Sequence, residues 1–129
     1  MTLHYRTALT AVGPDVADLL DGGILILFAE GAPPELAEVS VLHRVAEGPT
    51  AEAPPVGATI TIGDLRAELT AIGGYAWAKI ADIGHVVINF DGGTAASRPG
   101  ELSASPVDAP DLLAAVKPGA ILTISARGS

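Results

Sequence analysis

The stretch ILILFAEGAPPELAEVSVLH, residues 24–43, decides the fold of this chain. It opens with an apolar run, passes through an acidic loop that contains two prolines, and returns as an alternating strand. From Val39 to Val45 the odd-numbered residues share one side of that strand, so His43 lies in a row of valines. An ionisable ring in such a row is either hidden in a core or held rigidly at its edge, and the two cases imply different chemistry.

The composition favours one small domain made of short strands. A chain of 129 residues with 49% hydrophobic content can form one compact core, so residues 1–129 are predicted to be a single domain. Only 4% of the residues are aromatic, so the core must be built from aliphatic side chains, which suits a small sheet or barrel. Fifteen glycines and ten prolines along the chain indicate many turns.

The charge balance narrows the classes of partner. The net charge of -8 would repel nucleic-acid phosphates and anionic lipids, so nucleic acid is not expected as a partner. A basic protein partner fits this charge, although excess acid also serves solubility. The absence of cysteine excludes disulfides and thiolate metal sites. Without an apolar signal segment or a run near the ~20 residues of a spanning helix, the chain is predicted to be cytoplasmic.

Period-2 patterns and turn residues predict strands along most of the chain. The segments that can be extended are 3–12, 24–28, 39–45, 59–62, 65–72, 85–90, 102–107 and 121–125. Pro106 makes 102–107 an edge or bulged segment, and short helices are predicted after Gly13 and between Gly74 and Gly84. The expected fold is all-β, a small closed antiparallel β-barrel of six or seven short strands with a few short helices.

Common catalytic and ligand-binding motifs are missing from the sequence. No G-x-S-x-G, H-E-x-x-H, Walker or G-x-G-x-x-G pattern occurs. His4, His43 and His85 are far apart and none has an i, i+4 partner, so neither a metal site nor a cofactor is expected. His4 is predicted to be at the surface, and Glu35 and Glu38 are interpreted as part of a solvated loop.

Several segments, taken in order and spacing, nevertheless resemble a known family over nearly the whole chain. The segments are Glu30-Gly31-Ala32-Pro33, the strand ending in His43, Thr70-Ala71-Ile72-Gly73, Gly84-His85-Val86 and Phe90-Asp91-Gly92. They are similar to the glucitol/sorbitol-specific IIA component of the bacterial phosphoenolpyruvate-dependent sugar phosphotransferase system. The family has a small closed β-barrel, which agrees with the architecture expected from the residue pattern.

The resemblance implies a phosphocarrier that works at His43. It implies that His43 accepts a phosphoryl group from the protein HPr and passes it to the sugar-specific IIB component of a membrane complex with IIC. An imidazole suits this role because its neutral nitrogen is nucleophilic near pH 7. The role requires that this nitrogen be open to solvent. Arg44 points to the other face of the strand and is not expected to help.

Two questions stay open at this level. His85 also falls on a family-like position, where it is a candidate supporting residue that lines the site, fixes the tautomer of His43, or only satisfies a hydrogen bond in the core. The alternative to a carrier is a stand-alone regulatory barrel, or a barrel that binds a small ligand. In the ligand-binding case His43 need not be exposed.

Overall fold

A computed structural model describes residues 2–96 and 98–126 of the chain. Its strands are β1 (Thr2–Val12), β2 (Ile24–Ala29), β3 (Val41–Glu47), β4 (Thr59–Ile62), β5 (Leu65–Ile72), β6 (Val86–Asn89), β7 (Glu101–Ala104) and β8 (Ile121–Ala126). Its helices are α1 (Val16–Asp21), α2 (Pro34–Ala37), α3 (Ala76–Ile83) and α4 (Ala109–Ala115). None of the helices in the described ranges has the length and apolar character needed to cross a bilayer.

The strands close into a barrel in the order β1-β3-β2-β6-β7-β5-β4-β8. The all-β class and the closure are confirmed, but the expected number of six or seven strands is too low. The difference comes from β7, which Pro106 had reduced to an edge segment. The strand ends at Ala104, before the proline, and pairs with β5 and β6.

The expectation of a purely antiparallel barrel is also wrong. β2 pairs parallel with β3, and β6 pairs parallel with β7, while the other six pairs are antiparallel. Parallel neighbours need a connection that returns the chain to the end where it started. The segments 30–40 and 90–100 provide these connections, and the first contains α2, which begins at Pro34. Alternation within a strand does not reveal the direction of its neighbour.

The inside of the barrel is packed with aliphatic side chains. Leucines and isoleucines from strands all around the barrel are completely or almost completely buried, among them Leu9, Leu25, Leu69, Ile88 and Leu122. The hairpin predicted at Gly63-Asp64 joins β4 to β5, and Gly63 has the positive φ of 56° that such a turn requires. Burying this apolar surface is the main source of stability in a fold of this size.

The barrel consists of two similar halves. In each half a long strand turns at a glycine into a short helix, and the next two strands pair parallel: β1-α1-β2-β3 and β5-α3-β6-β7. The long strands pair antiparallel with β3 and β7, with an irregularity between Leu9 and Ala11 in one half and between Leu69 and Ala71 in the other. Residues 9–13, LTAVG, therefore correspond to residues 69–73, LTAIG.

The two glycines that end these sequences have the same role. The amide of Gly13 donates to the carbonyl of Ser40, and the amide of Gly73 donates to that of Glu101. A Cβ at either glycine would collide with backbone carbonyl oxygens of the returning segment. Residues 57–62 (GATITI) and 119–124 (GAILTI) are also alike and belong to the same repeat, because β4 pairs with β5 as β8 pairs with β1.

Candidate functional site

His43 lies on the inner side of β3 and both of its ring nitrogens have hydrogen-bond partners. Nδ1 is 2.6 Å from Oγ1 of Thr7 on β1, and Nε2 is 2.6 Å from the carbonyl oxygen of Gly84. The ring of Tyr5 meets the imidazole edge to face, with 6.3 Å between centroids. The imidazole is therefore held by β1 on one side and by the turn that follows α3 on the other.

The side chain of His43 is only 1% exposed, so the expectation that its nitrogen faces solvent is wrong for this conformation. The valine row explains the burial: Val41 is fully buried beside it, while Val45, on the same side of β3, is 40% exposed. His43 is thus the last inward residue before the strand leaves the core. It lies at the edge of the core and is covered there by Gly84.

Burial also controls the charge of the ring. It lowers the pKa of His43 below its ordinary value, while the Gly84 carbonyl and the negative charge of Glu30 act in the opposite direction. The uncharged imidazole is the form with a free lone pair and is the form that can attack phosphorus. The environment therefore favours the nucleophilic state of the ring.

The Gly84 carbonyl reaches His43 because of local backbone geometry. Gly84 ends α3 in the left-handed conformation, with φ of 63°, as the sequence predicts for this glycine. A Cβ there would come within 2.8 Å of the Cβ of Ala29, which is paired with His43 across β2 and β3. Only glycine lets the turn approach β2 so closely, and this approach places the carbonyl over Nε2.

A charged pair lies on the surface beside the site. Nε of Arg44 donates to Oε1 of Glu30 at 2.8 Å, and the Arg44 side chain is 75% exposed. Arg44 thus points away from His43, as its place on the strand predicts. The arginine lowers the pKa of Glu30, so the carboxylate stays charged close to the imidazole.

His85 and His43 are not joined by a hydrogen bond in the described part of the chain. Nδ1–H of His85 donates to the carbonyl of Leu27 at 3.0 Å, and its ring lies 4.9 Å from that of Phe28. His85 therefore fixes the turn after α3 to strand β2. It is the residue next to Gly84, so it bears on the site through the backbone.

His4 is not a surface residue, so the prediction for it is wrong. It is 8% exposed, lies 2.7 Å from Oγ1 of Thr50 through Nδ1, and meets the Trp77 ring edge to face. The long loop after β3 covers it, since the amide of Thr50 donates to the His4 carbonyl. Its role there is structural.

Sequence reasoning did not find Thr7 or the carbonyl of Gly84 as partners of His43. A backbone carbonyl leaves no signal in a residue pattern, and one threonine among alternating strand residues is not distinctive. The repeat of LTAVG and LTAIG could have revealed that residues 9–13 and 69–73 are equivalent. Alignment of the two halves on this repeat would have shown which polar residues occur in only one of them.

Comparison with known proteins identifies the family of this chain. A family model described as the PTS system glucitol/sorbitol-specific IIA component matches residues 4–123. The PTS system glucitol/sorbitol-specific EIIA components of Shigella flexneri and of Escherichia coli K12 are each 37% identical to this chain over 123 residues, which cover 95% of this chain and 94% of each relative.

A crystal structure of a PTS system IIA component from Enterococcus faecalis V583 has the same fold. The two structures superpose with a TM-score of 0.73 over 94% of this chain and 99% of the other, at 18% sequence identity. The resemblance seen in the sequence is thereby confirmed for the family. This chain belongs to the glucitol/sorbitol-specific IIA component family of the sugar phosphotransferase system and is a phosphocarrier component of such a system.

Proposed function

We propose that His43 is the residue that carries the phosphoryl group. HPr supplies this group, and the sugar-specific IIB component, part of a membrane complex with IIC, receives it. The process takes place in the cytoplasm and serves the uptake of glucitol (sorbitol) or a related polyol, the sugar for which the relatives are named. The observation that carries the assignment is the hydrogen-bonded imidazole at the edge of the barrel, covered at Nε2 by one carbonyl.

The surroundings of the three histidines favour His43. His4 lies under a loop and His85 ties a turn to β2, so each has a structural task. His43 lies on a strand that is paired on both sides, with β1 and with β2. Transfer of a phosphoryl group depends mainly on positioning, and a doubly paired strand holds a nucleophile rigidly.

In this structure the turn after α3 covers Nε2 of His43, and we call this arrangement the closed state of the site. Attack requires the phosphorus to come within about 3–3.5 Å of the nitrogen, and the Gly84 oxygen now occupies that position at 2.6 Å from Nε2. The turn after α3 must therefore move before transfer. The rate of loading is then reduced by the fraction of molecules that are closed.

Nε2 is the nitrogen that such a movement exposes. Thr7 covers Nδ1 and belongs to β1, which is paired with β3 and β8 and cannot move without opening the barrel. Gly84 belongs to a short turn, and its neighbour Ile83 is 43% exposed. His85 supports the site by holding this turn through the Leu27 carbonyl, so it governs how readily the turn opens.

The alternative, a stand-alone regulatory or small-ligand-binding barrel, has less support. The family and the curated relatives are named for the carrier component. The barrel interior is filled with aliphatic side chains that are almost fully buried. Both observations favour a phosphocarrier.

Incubation with phosphoenolpyruvate, enzyme I and HPr tests the proposal, followed by mass measurement of the wild type, His43→Ala and His85→Ala. An acid-labile, alkali-stable phosphate is expected on the wild type and on His85→Ala, and none on His43→Ala. The far-ultraviolet circular dichroism of each variant checks that it folds. Subsequent addition of IIB should remove the phosphate. An unmodified wild type, or a phosphorylated and folded His43→Ala, would overturn the assignment.

A further inference from the structure

The hydrogen bonds of His43 define the tautomer of its neutral ring in the closed state. A carbonyl oxygen can only accept, so Nε2 carries the proton and donates it to Gly84. Nδ1 then holds the lone pair and accepts from the hydroxyl of Thr7. Attack by Nε2 needs the opposite neutral tautomer, with the lone pair on Nε2 and the proton on Nδ1. This tautomer forms once the turn has opened, when Nε2 releases its proton to water and Nδ1 takes up a proton from water.

We propose that Thr7 is a positioning residue that reverses its hydrogen bond with His43: its hydroxyl donates to Nδ1 in the closed state and accepts from Nδ1–H in the reactive state. This inference rests on the function proposed above. A hydroxyl is suited to such a reversal because it is both donor and acceptor. Thr7 is fully buried, so no solvent molecule competes for this role in the closed state.

When Thr7 accepts from Nδ1–H, its own proton needs a new acceptor, and the hydroxyl of Tyr5 is suitably placed. Tyr5 and Thr7 are two residues apart on the inner side of β1. Tyr5 Oη is buried and has no hydrogen-bond partner among the described residues. Burial raises the pKa of Tyr5 to about 12, with the Thr7 hydroxyl acting in the opposite direction, so the phenol keeps its proton and its oxygen can accept a hydrogen bond.

The second half of the barrel provides an internal comparison. Leu9 pairs with His43, and its counterpart Leu69 pairs with Ala104, so Ala104 stands where the first half has His43. Thr7 pairs with Leu122 on β8, as Ala67 pairs with Ile60 on β4. Ala67 is therefore the counterpart of Thr7.

Leu65 is, by the same comparison, the counterpart of Tyr5. Leu65 pairs with Ile62 on β4, as Tyr5 pairs with Ile124 on β8. Imidazole and both hydroxyls thus occur together in one half and are all replaced by apolar side chains in the other. A role in the barrel framework would be needed in both halves. The hydroxyls of Thr7 and Tyr5 therefore have a role that is tied to His43 and not to the barrel framework.

Thr10 and Thr70, two partly buried residues whose hydroxyl oxygens are buried, behave differently. They occupy equivalent positions in LTAVG and LTAIG, and the hydroxyl of each lacks a partner among the described residues. A threonine that the two halves share belongs to the framework. Thr70 is therefore a matched control for the loss of a buried hydroxyl.

The transfer of the phosphoryl group to His43 forms one bond to phosphorus, breaks another and conserves charge. The Nε2 lone pair of neutral His43 forms a bond to phosphorus, while the bond from phosphorus to the imidazolium nitrogen of the donor phosphohistidine breaks, and that electron pair stays on the donor ring. Positive charge thereby moves from the donor ring to the ring of His43, and the proton stays on Nδ1. Because Nδ1–H becomes a stronger donor as this charge develops, its bond to Thr7 stabilises the transition state more than the ground state.

The test compares Thr7→Val, Thr7→Ser and Thr70→Val with the wild type, with histidine labelled with 15N. Thr7→Val should slow phosphorylation of His43 by HPr about 10- to 100-fold, the range expected for the loss of a hydrogen bond to a charged group. Thr7→Ser should restore most of the rate, and Thr70→Val should match the wild type. In the unphosphorylated wild type the 15N shifts of His43 should indicate the Nε2–H tautomer, and in the phosphorylated form a proton on Nδ1.

The outcomes separate this inference from the proposed function. If the wild type takes no phosphate on His43, the proposed function fails. If the wild type is loaded on Nε2 and Thr7→Val is loaded equally fast, Thr7 has no positioning role. Equal loss of rate in Thr7→Val and Thr70→Val, or a shifted 15N spectrum in both, would reduce Thr7 to a framework residue and overturn the inference.

Discussion

Replacement of Gly84 by alanine tests how the cover over His43 is built. Two separate costs are expected. The left-handed backbone, with φ of 63°, costs a residue with Cβ roughly 1–2 kcal/mol. The new Cβ also meets that of Ala29 at 2.8 Å, and overpacking of this kind costs about 1–3 kcal/mol. Gly84→Ala should therefore lower the free energy of unfolding by roughly 2–5 kcal/mol.

Gly23 offers a matched control, because it is the counterpart of Gly84 in the other half of the barrel. Its φ is 78°, but a Cβ there would meet the nearest atom, the carbonyl oxygen of Phe90, at 3.6 Å, an ordinary contact. Gly23→Ala should therefore cost only the backbone part, about 1–2 kcal/mol. The difference between the two variants isolates the collision with Ala29.

A double-mutant cycle completes the test. In Gly84→Ala combined with Ala29→Gly the collision disappears, so the two changes should couple favourably by about 1–3 kcal/mol. Urea unfolding can be followed by the fluorescence of Trp77, which is 8% exposed in the folded barrel. Equal losses for Gly84→Ala and Gly23→Ala, or no coupling with Ala29→Gly, would refute the reasoning.

Three further predictions follow from described contacts. Gly13→Ala and Gly73→Ala should each cost more than about 3 kcal/mol or prevent folding, as circular dichroism would detect, because the added Cβ collides with backbone carbonyls; a stable variant of either would contradict this. Trp77→Phe loses the bond of 2.7 Å from Nε1–H to the Thr50 carbonyl, and thermal unfolding should show a loss of about 1–3 kcal/mol; an unchanged midpoint would count against that bond. Because burial lowers the pKa of His43, the unfolded chain takes up a proton near pH 6.5 while the folded chain does not. Stability should fall by up to about 1.4 kcal/mol per pH unit below that value, down to the native pKa, and the same decline in His43→Ala would disprove the cause.

The sequence predicted the strands of this barrel better than their arrangement. Each extended segment became a strand within a few residues, because alternation and turn glycines are local signals. The parallel pairs were missed because they depend on how the segments around Pro34 and Asp91 lead the chain back. Strand direction is a property of the connection and is not written in the strand itself.

The site was predicted in part for the same reason. The pattern placed His43 in a valine row and Gly84 at a helix end, and the resemblance to a family drew attention to His43. Its burial could not be read from the pattern, because the cover comes from a backbone carbonyl 41 residues away. Thr7 was missed because pairing between β1 and β3 is a long-range contact.

The seam between β1 and β8 has a consequence for how the chain folds. Thr2 pairs with Ala126, so the last ladder of the barrel joins positions at opposite extremes of the described chain. Contacts so distant in sequence require a large loop to close before they add any stability, and folds dominated by them form slowly. Until this seam closes, the edges of β1 and β8 are unpaired and open to other molecules, so refolding should be most vulnerable to aggregation at high protein concentration.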